Sequence, residues 1–222
     1  MNVALFDLDG TLLDADSDHA FGQFLLAEGW AGGEEHRRRN DEFYAQYLAE
    51  RLDIAAYIEF ATAPWRDRDP REVESLRQRF VDAVIRPAVR PVAIDLVRHH
   101  QAAGDRVAVV TATNDFVTRP IADLFGVETL IATELMRDAT GRPDGRIRGT
   151  PAFRQGKVAR VRQWLAGLGQ TLEGLQRSTF YSDSRNDLPL LEAVSHPVAT
   201  NPSDSLEAFA RERGWPILRL FA

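Results

Sequence analysis

An apolar run, Val3-Ala4-Leu5-Phe6, breaks into two carboxylates and a glycine at Asp7-Leu8-Asp9-Gly10. A run of this kind reads as a buried parallel strand that delivers charge to the carboxyl edge of an open α/β sheet, where such folds bind ligands. Asp7 and Asp9 are two apart, so an extended backbone sends both side chains to one side and turns Leu8 away. Gly10 then lets the chain bend sharply. Paired acids at a strand end suit a divalent cation. Mg²⁺ is the expected ion, because it binds through one or two carboxylates and fills its shell with water and substrate phosphate. Asp9-Gly10 is equally an ordinary turn signal, so the rest of the chain has to decide between the two readings.

After the opening strand the pattern is helical from Asp18 to about Val84, with apolar residues spaced as Phe21, Phe24, Leu25; Tyr44, Tyr47, Leu48; Ile54, Tyr57, Ile58; and Val73, Leu76, Phe80, Val84. Asp53 opens one of these helices, and Asp69-Pro70 supplies an N-cap acid and an N1 proline for another. Beyond Arg86-Pro87 the period changes. A helix from Pro91 to Ala103 ends at Gly104, and a buried strand from Arg106 to Val110 follows. Thr111, Thr113 and Asn114 stand between that strand and a helix from Phe116 to Phe125. Hydroxyls and backbone N–H groups at a helix start make a phosphate cradle, although Thr111 alone also reads as a cap.

The glycine-rich stretch 137–151 reads as a β-hairpin flap. Lys157 follows near the start of a helix from Phe153 to Leu168, where a cation opposes the helix dipole and so has another reason to be there, unless it is a plain exposed lysine. A strand from Ser178 to Tyr181 leads into Asp183 and Asp187. Acids four apart across a strand-to-helix turn can converge on one ion, while Asp183 or Ser184 can also cap a helix from Asp187 to Val194. Further strands at Pro197–Thr200 and Ile217–Phe221, with a helix between them, complete the sheet.

Asp7-x-Asp9-x-Thr11, then Thr111, then Lys157, then Asp183 and Asp187 resemble, in order and spacing, the four motifs of the haloacid dehalogenase superfamily. The resemblance covers the whole chain, with Ser182 where many relatives have glycine. It implies a Rossmann-like parallel α/β core, residues 1–15 and 87–222, with a small all-helical cap, residues 16–86, inserted after the first motif and closing over the site. It also implies phosphoryl chemistry. Asp7 is then the nucleophile and Asp9 the acid and base, while Thr111 and Lys157, with Thr113 and Asn114 beside them, hold the phosphoryl oxygens. Asp7, Asp9 through its carbonyl, Asp183 and Asp187 serve Mg²⁺, with Asp187 orienting a metal water or Lys157. A phosphomutase would share these motifs, and a regulatory relative would lack Asp9.

The helical cap and short flap resemble the phosphoserine phosphatase branch, in which Asp16 stands where a glutamate binds the substrate amine; a surface acid is the plain alternative. The arginine that binds the substrate carboxylate in that branch has its counterpart at Glu59, which would repel a carboxylate. Asp16-Ser-Asp18-His19 and Arg39-Asn40-Asp41-Glu42-Phe43-Tyr44 are similar to a bacterial group regarded as histidinol-phosphate phosphatases. Their substrate carries an amine and an imidazole but no carboxylate, so Asp16, Asp18 and Glu59 are the expected specificity residues. The expected partner is a small phosphorylated metabolite. Nucleic acid is not expected, because the net charge is -6 and Arg37-Arg38-Arg39 sits beside Glu34 and Glu35 as a solvated helix face. No membrane partner is expected, because no long uncharged span occurs and Asp7 interrupts the leading apolar run. The expected location is cytoplasmic. There are no cysteines, which excludes a thiol nucleophile and thiolate metal sites. Nothing in the sequence sets an oligomeric state.

Overall fold

The computed structural model describes residues 1–221. Its strands are β1 Asn2–Phe6, β2 Arg106–Asn114, β3 Thr129–Thr133, β4 Leu135–Arg137, β5 Pro143–Ile147, β6 Arg177–Ser182, β7 His196–Thr200 and β8 Ile217–Leu218. Six of them form one parallel sheet in the order β3-β2-β1-β6-β7-β8, and β4 pairs antiparallel with β5 as the flap. β1 is central because it is apolar on both faces. Val3 and Leu5 face a core with Val110, Val161 and Phe180, while Ala4 and Phe6 face a second core with Val97, Val109 and Ile121. Each large side chain buried in this way contributes about 1.5–3 kcal/mol.

From β1 the chain moves to β2 and β3 on one side, then returns to β6, β7 and β8 on the other. The order reverses between β1 and β6, and the crevice outside their carboxyl ends is where such a sheet takes its ligand. All four sequence motifs converge there.

The segment between β1 and β2 is helical, with α1 Ser17–Ala27, α2 Gly33–Leu48, α3 Ile54–Thr62, α4 Pro70–Phe80, a π turn Val81–Ile85 and α5 Arg86–Ala88. Asp53 and Asp69 cap α3 and α4 through their side chains, as expected. The two stems of the insertion meet, with Leu13 bridging Val89 and Asp14 paired to Arg90 at 2.9 Å. Phe21, Leu25, Ile58, Leu76 and Phe80 join the core beneath Phe6, and Trp65 stacks on Phe116 with centroids 4.3 Å apart, so the insertion is packed against the sheet domain.

The remaining helices are α6 Pro91–Ala102, α7 Asp115–Leu124, α8 Gln155–Gly167, α9 Leu188–Leu191 and α10 Asp204–Arg213. Four expectations need correction. β2 does not stop at Val110 but stays extended to Asn114, with a register break that re-aims Thr111 to Thr113. β3, which the sequence reading missed, pairs with β2 at the sheet edge. The helix expected from Asp187 to Val194 is a 3₁₀ turn at Arg185–Asp187 followed by one α-turn, since the chain must re-enter the sheet at His196. β8 ends at Leu218 rather than Phe221. Among the described residues no helix is long and apolar enough to cross a membrane.

Candidate active site

Asp7 leaves β1 with its backbone N–H donating to the Tyr181 carbonyl at 2.9 Å, so the end of β6 holds the end of β1. Its side chain is buried, and Lys157 Nζ donates to Asp7 Oδ1 at 2.9 Å and to Asp187 Oδ2 at 2.7 Å. Ser182 also donates to Asp187 Oδ2, at 2.8 Å. Lys157 is therefore no exposed helix lysine, being 1 % exposed and shared between acids from two strand ends. Burial works against its charge, but Asp187 and Asp7 outweigh that and hold its pKa above the usual value.

Gly10 has φ +71°, and a Cβ there would lie 2.5 Å from Asp183 Oδ2, so only glycine lets the first loop pass under this acid. Thr11 Oγ1 donates to Asp183 Oδ1 at 3.1 Å. Asn201, itself at φ +46°, donates from Nδ2 to the Gly10 carbonyl at 2.9 Å and to the Thr11 carbonyl at 3.3 Å. Thr11, Ser182 and Asn201 are site-building residues that the sequence reading did not assign. Asn201 carried one signal, a residue type that tolerates left-handed backbone at the end of a strand.

Asp9 takes hydrogen bonds on both oxygens, from the Ser17 backbone N–H at 2.7 Å and from Thr113 Oγ1 at 3.0 Å. Burial raises its pKa against those two bonds. Thr111 is buried and lines the cleft. Thr113 lines it too, with its hydroxyl engaged by Asp9. Asn114 does not line this cleft: its Oδ1 accepts from Val117 N–H as the cap of α7, and its Nδ2 donates to Asp18 at 3.3 Å. The expected phosphate contact from its side chain is replaced by a cap and a link to the insertion.

Asp7 and Asp187 share Lys157, while Asp183 beside them has only the Thr11 hydroxyl, so the negative charge of the three acids is not balanced. Burial accordingly raises Asp7 well above the carboxylate range despite Lys157, and with the Asp187 charge it pushes Asp183 up to about 7. This donor set fits a hard divalent cation held by few protein ligands. Among the described residues no group of three acidic, histidine or cysteine side chains comes together as a metal cage.

The insertion closes the cleft from above. Asp16 caps α1, accepting from His19 N–H at 2.8 Å, and burial together with Asp9 lifts it to about 7. Asp18 is raised well above the carboxylate range by burial and by Asp16 and Asp9, against a hydrogen bond from Tyr57. Phe43, Tyr44, Tyr47 and Tyr57 line the same cleft, and His19 stacks on Tyr44 with centroids 4.6 Å apart. Glu59 is a correction: it lies exposed on α3 and does not line the cleft, because Tyr57 and Ile58 take the buried face of that helix.

Residues 4–192 match the haloacid dehalogenase-like hydrolase family. The chain belongs to that family. It is 43 % identical over 217 residues to a histidinol-phosphatase of Neisseria meningitidis, covering 98 % of each chain. It is 32 % identical to a phosphoserine phosphatase of Mycobacterium tuberculosis, covering 97 % of this chain and 70 % of that one. Among solved structures, a protein of unknown function from Bordetella pertussis superposes with a TM-score of 0.93 at 50 % identity, covering 99 % of each chain. A substrate-bound phosphoserine phosphatase superposes at 0.69 with 16 % identity, covering 97 % of this chain and 91 % of that one, a likeness of fold alone. As a haloacid dehalogenase-like hydrolase, the chain bears out the family expected from its four motifs.

Proposed function

We propose that this haloacid dehalogenase-like hydrolase is a Mg²⁺-dependent phosphatase that hydrolyses a small amine-bearing phosphomonoester, best matched by histidinol phosphate, in the cytoplasm. The observation that carries the substrate class is the lining of the cleft beside Asp7. Two half-buried acids, Asp16 and Asp18, line it together with aromatic rings, and among the described residues no arginine or lysine lines it. A cationic amine finds acids there, whereas a carboxylate such as that of phosphoserine finds no arginine or lysine among the lining residues. The 43 % identity to a histidinol-phosphatase supports the same choice.

In this reading a carboxylate oxygen of Asp7 attacks phosphorus, and the bond from phosphorus to the ester oxygen breaks. Asp9, held by Ser17 and Thr113 and raised by burial, gives its proton to the departing alkoxide. The aspartyl-phosphate is then hydrolysed by water, whose proton returns to Asp9. Lys157 and Thr111 hold the phosphoryl oxygens as charge shifts onto them, and Asp187 keeps Lys157 in place. Asp7, Asp183 and the Asp9 carbonyl would hold Mg²⁺. Bound there, the ion supplies positive charge that lets a carboxylate approach a phosphate dianion.

The test is a phosphate-release screen over small phosphorylated metabolites with and without Mg²⁺. Release should be fastest with histidinol phosphate and should require the metal. A preference for phosphoserine would overturn the substrate, and phosphate returned to the substrate under a sugar bisphosphate activator would make the protein a mutase.

A further inference from the structure

Three non-glycine residues have a left-handed φ: Glu50, Arg154 and Asn201. Asn201 braces the first catalytic loop. The other two meet each other. Glu50, at φ +57°, closes the loop after α2, and Arg154, at φ +51°, stands at the N-terminus of α8, three residues before Lys157. Arg154 donates from its guanidinium to the Glu50 carbonyl and, through Nε, to Asn186 Oδ1 at 3.1 Å. Asn186 in turn donates to the Tyr47 carbonyl at 3.0 Å. Both carbonyls lie in or just past the last turn of α2, and that of Tyr47 also accepts from the Glu50 N–H at 3.0 Å. Side chains follow the same path, with Arg185 paired to Glu50 at 3.5 Å and the Tyr47 ring 6.5 Å from that of Phe153.

These contacts join the insertion to two core elements. One is α8, which carries Lys157, and the second is the turn that carries Asp187, the partner of Lys157. The turn before α8 is tightly built, since a Cβ on Gly156 would lie 1.9 Å from the Pro151 carbonyl. Glu50 is the left-handed residue that ends α2, with the N–H of Arg51 donating to the Gln46 carbonyl at 2.8 Å. Backbone strain of the kind seen at Arg154 persists where surroundings over-determine it, and it gathers at clamps and switches.

We infer that Arg154 is a positioning residue that clasps the helical insertion onto the phosphoryl-binding helix. It registers the wall of the cleft formed by Tyr47 and its neighbours against Lys157. Arg154 touches neither substrate nor reacting atoms in this role. Its guanidinium spans an acceptor on each side, which a single-point cation reproduces only in part. This inference rests on the phosphatase reading for its kinetic consequence but not for its structural one.

The test compares wild type with Arg154→Gly and Arg154→Lys. Glycine adopts the native φ freely, so Arg154→Gly should melt with or above wild type while losing the clasp. Hydrogen exchange of the amides at 49–53 should quicken in Arg154→Gly. The ratio of kcat/KM for histidinol phosphate over p-nitrophenyl phosphate should fall about tenfold, because the second ester makes little use of the insertion. Arg154→Lys should fall between the two. Unchanged exchange at 49–53 in Arg154→Gly would overturn the clasp whatever the substrate. An unchanged ratio, or an equal loss for both esters, would overturn its role in positioning. If wild type hydrolysed neither ester the phosphatase reading would fail, and the exchange measurement would still decide the clasp.

Discussion

Gly10 and Asp183 touch so closely that a single methyl group on Gly10 would lie 2.5 Å from the Asp183 carboxylate. The contact joins the first motif to the last, and it exists because the backbone at Gly10 is left-handed. Gly10→Ala therefore meets two obstacles, a φ that L-residues resist and an overlap with a buried acid. The variant should unfold at lower temperature than wild type by several degrees, corresponding to about 1–3 kcal/mol. Its Mg²⁺-induced thermal shift should be lost. A variant that melts with wild type and keeps the shift would mean that Asp183 is free to move away and is no ligand.

The acids of the site set a pH dependence whose sign can be worked out. Asp183 and Asp16 each rise from an ordinary 3.8 to about 7, so the folded chain binds more protons than the unfolded chain between those values. Their contribution to stability is complete below the unfolded value and is lost as pH rises through about 7. The metal-free protein should melt at progressively lower temperature from mildly acidic to mildly alkaline pH. Mg²⁺ must displace the proton on Asp183, so its apparent affinity should rise about tenfold per pH unit below that pKa and level off above it. Calorimetric titration across this range measures both. An affinity independent of pH would remove Asp183 from the metal site.

Lys157 is the one buried cation between Asp7 and Asp187, and its loss is not a neutral change. Lys157→Met keeps the length of the side chain but leaves those acids, with Asp183 nearby, uncompensated. Breaking a buried pair from one side costs about 3–5 kcal/mol. The loss should be largest at alkaline pH and shrink under acid, where the carboxyls protonate and no longer need a partner. Urea unfolding at both pH values checks this, and an equal loss at each would mean the lysine is a packing element only.

The parts of this site that could be read from sequence are those whose spacing is local. Asp7 and Asp9 share a strand end, Asp183 and Asp187 share a turn, and each pair states its geometry within a few residues. The cap helices were legible for a similar reason, since Asp53 and Asp69-Pro70 announce their starts and apolar residues recur at helical intervals. What the period of a helix does not convey is its neighbour. Glu59 and Tyr57 are two apart on α3, and only packing decides that tyrosine meets the cleft while the glutamate meets solvent. Asn114 looked like a phosphate donor because it follows a strand, but both ends of its side chain are taken by α7 and Asp18. The link between Arg154 and Glu50 has no local signal, because the two residues are 104 apart along the chain.

If the cleft above Asp7 takes an amine as proposed, its acids should give the sharpest discrimination between substrates. Asp18 sits among Tyr57, Asn114 and Asp16, and burial, with the charges of Asp16 and Asp9, raises its pKa well above the carboxylate range. An ammonium group arriving in the cleft would stabilise the ionised forms of Asp16 and Asp18, and an ester without one would not. Asp18→Asn preserves the shape and the link to Asn114 while removing the charge. For histidinol phosphate kcat/KM should fall by about ten- to a hundredfold, the cost of a charged hydrogen bond in a desolvated site. For p-nitrophenyl phosphate it should change little, because that ester has no amine to lose. Phosphoserine, which brings a carboxylate as well as an amine to the same wall, should gain relative to histidinol phosphate in Asp18→Asn, since an amide can donate to that carboxylate where an ionised acid would repel it. The measurement is kcat/KM for all three esters in both proteins. A uniform fall across the three would place Asp18 in the catalytic framework through Thr113 and Asp9 rather than in recognition of the amine.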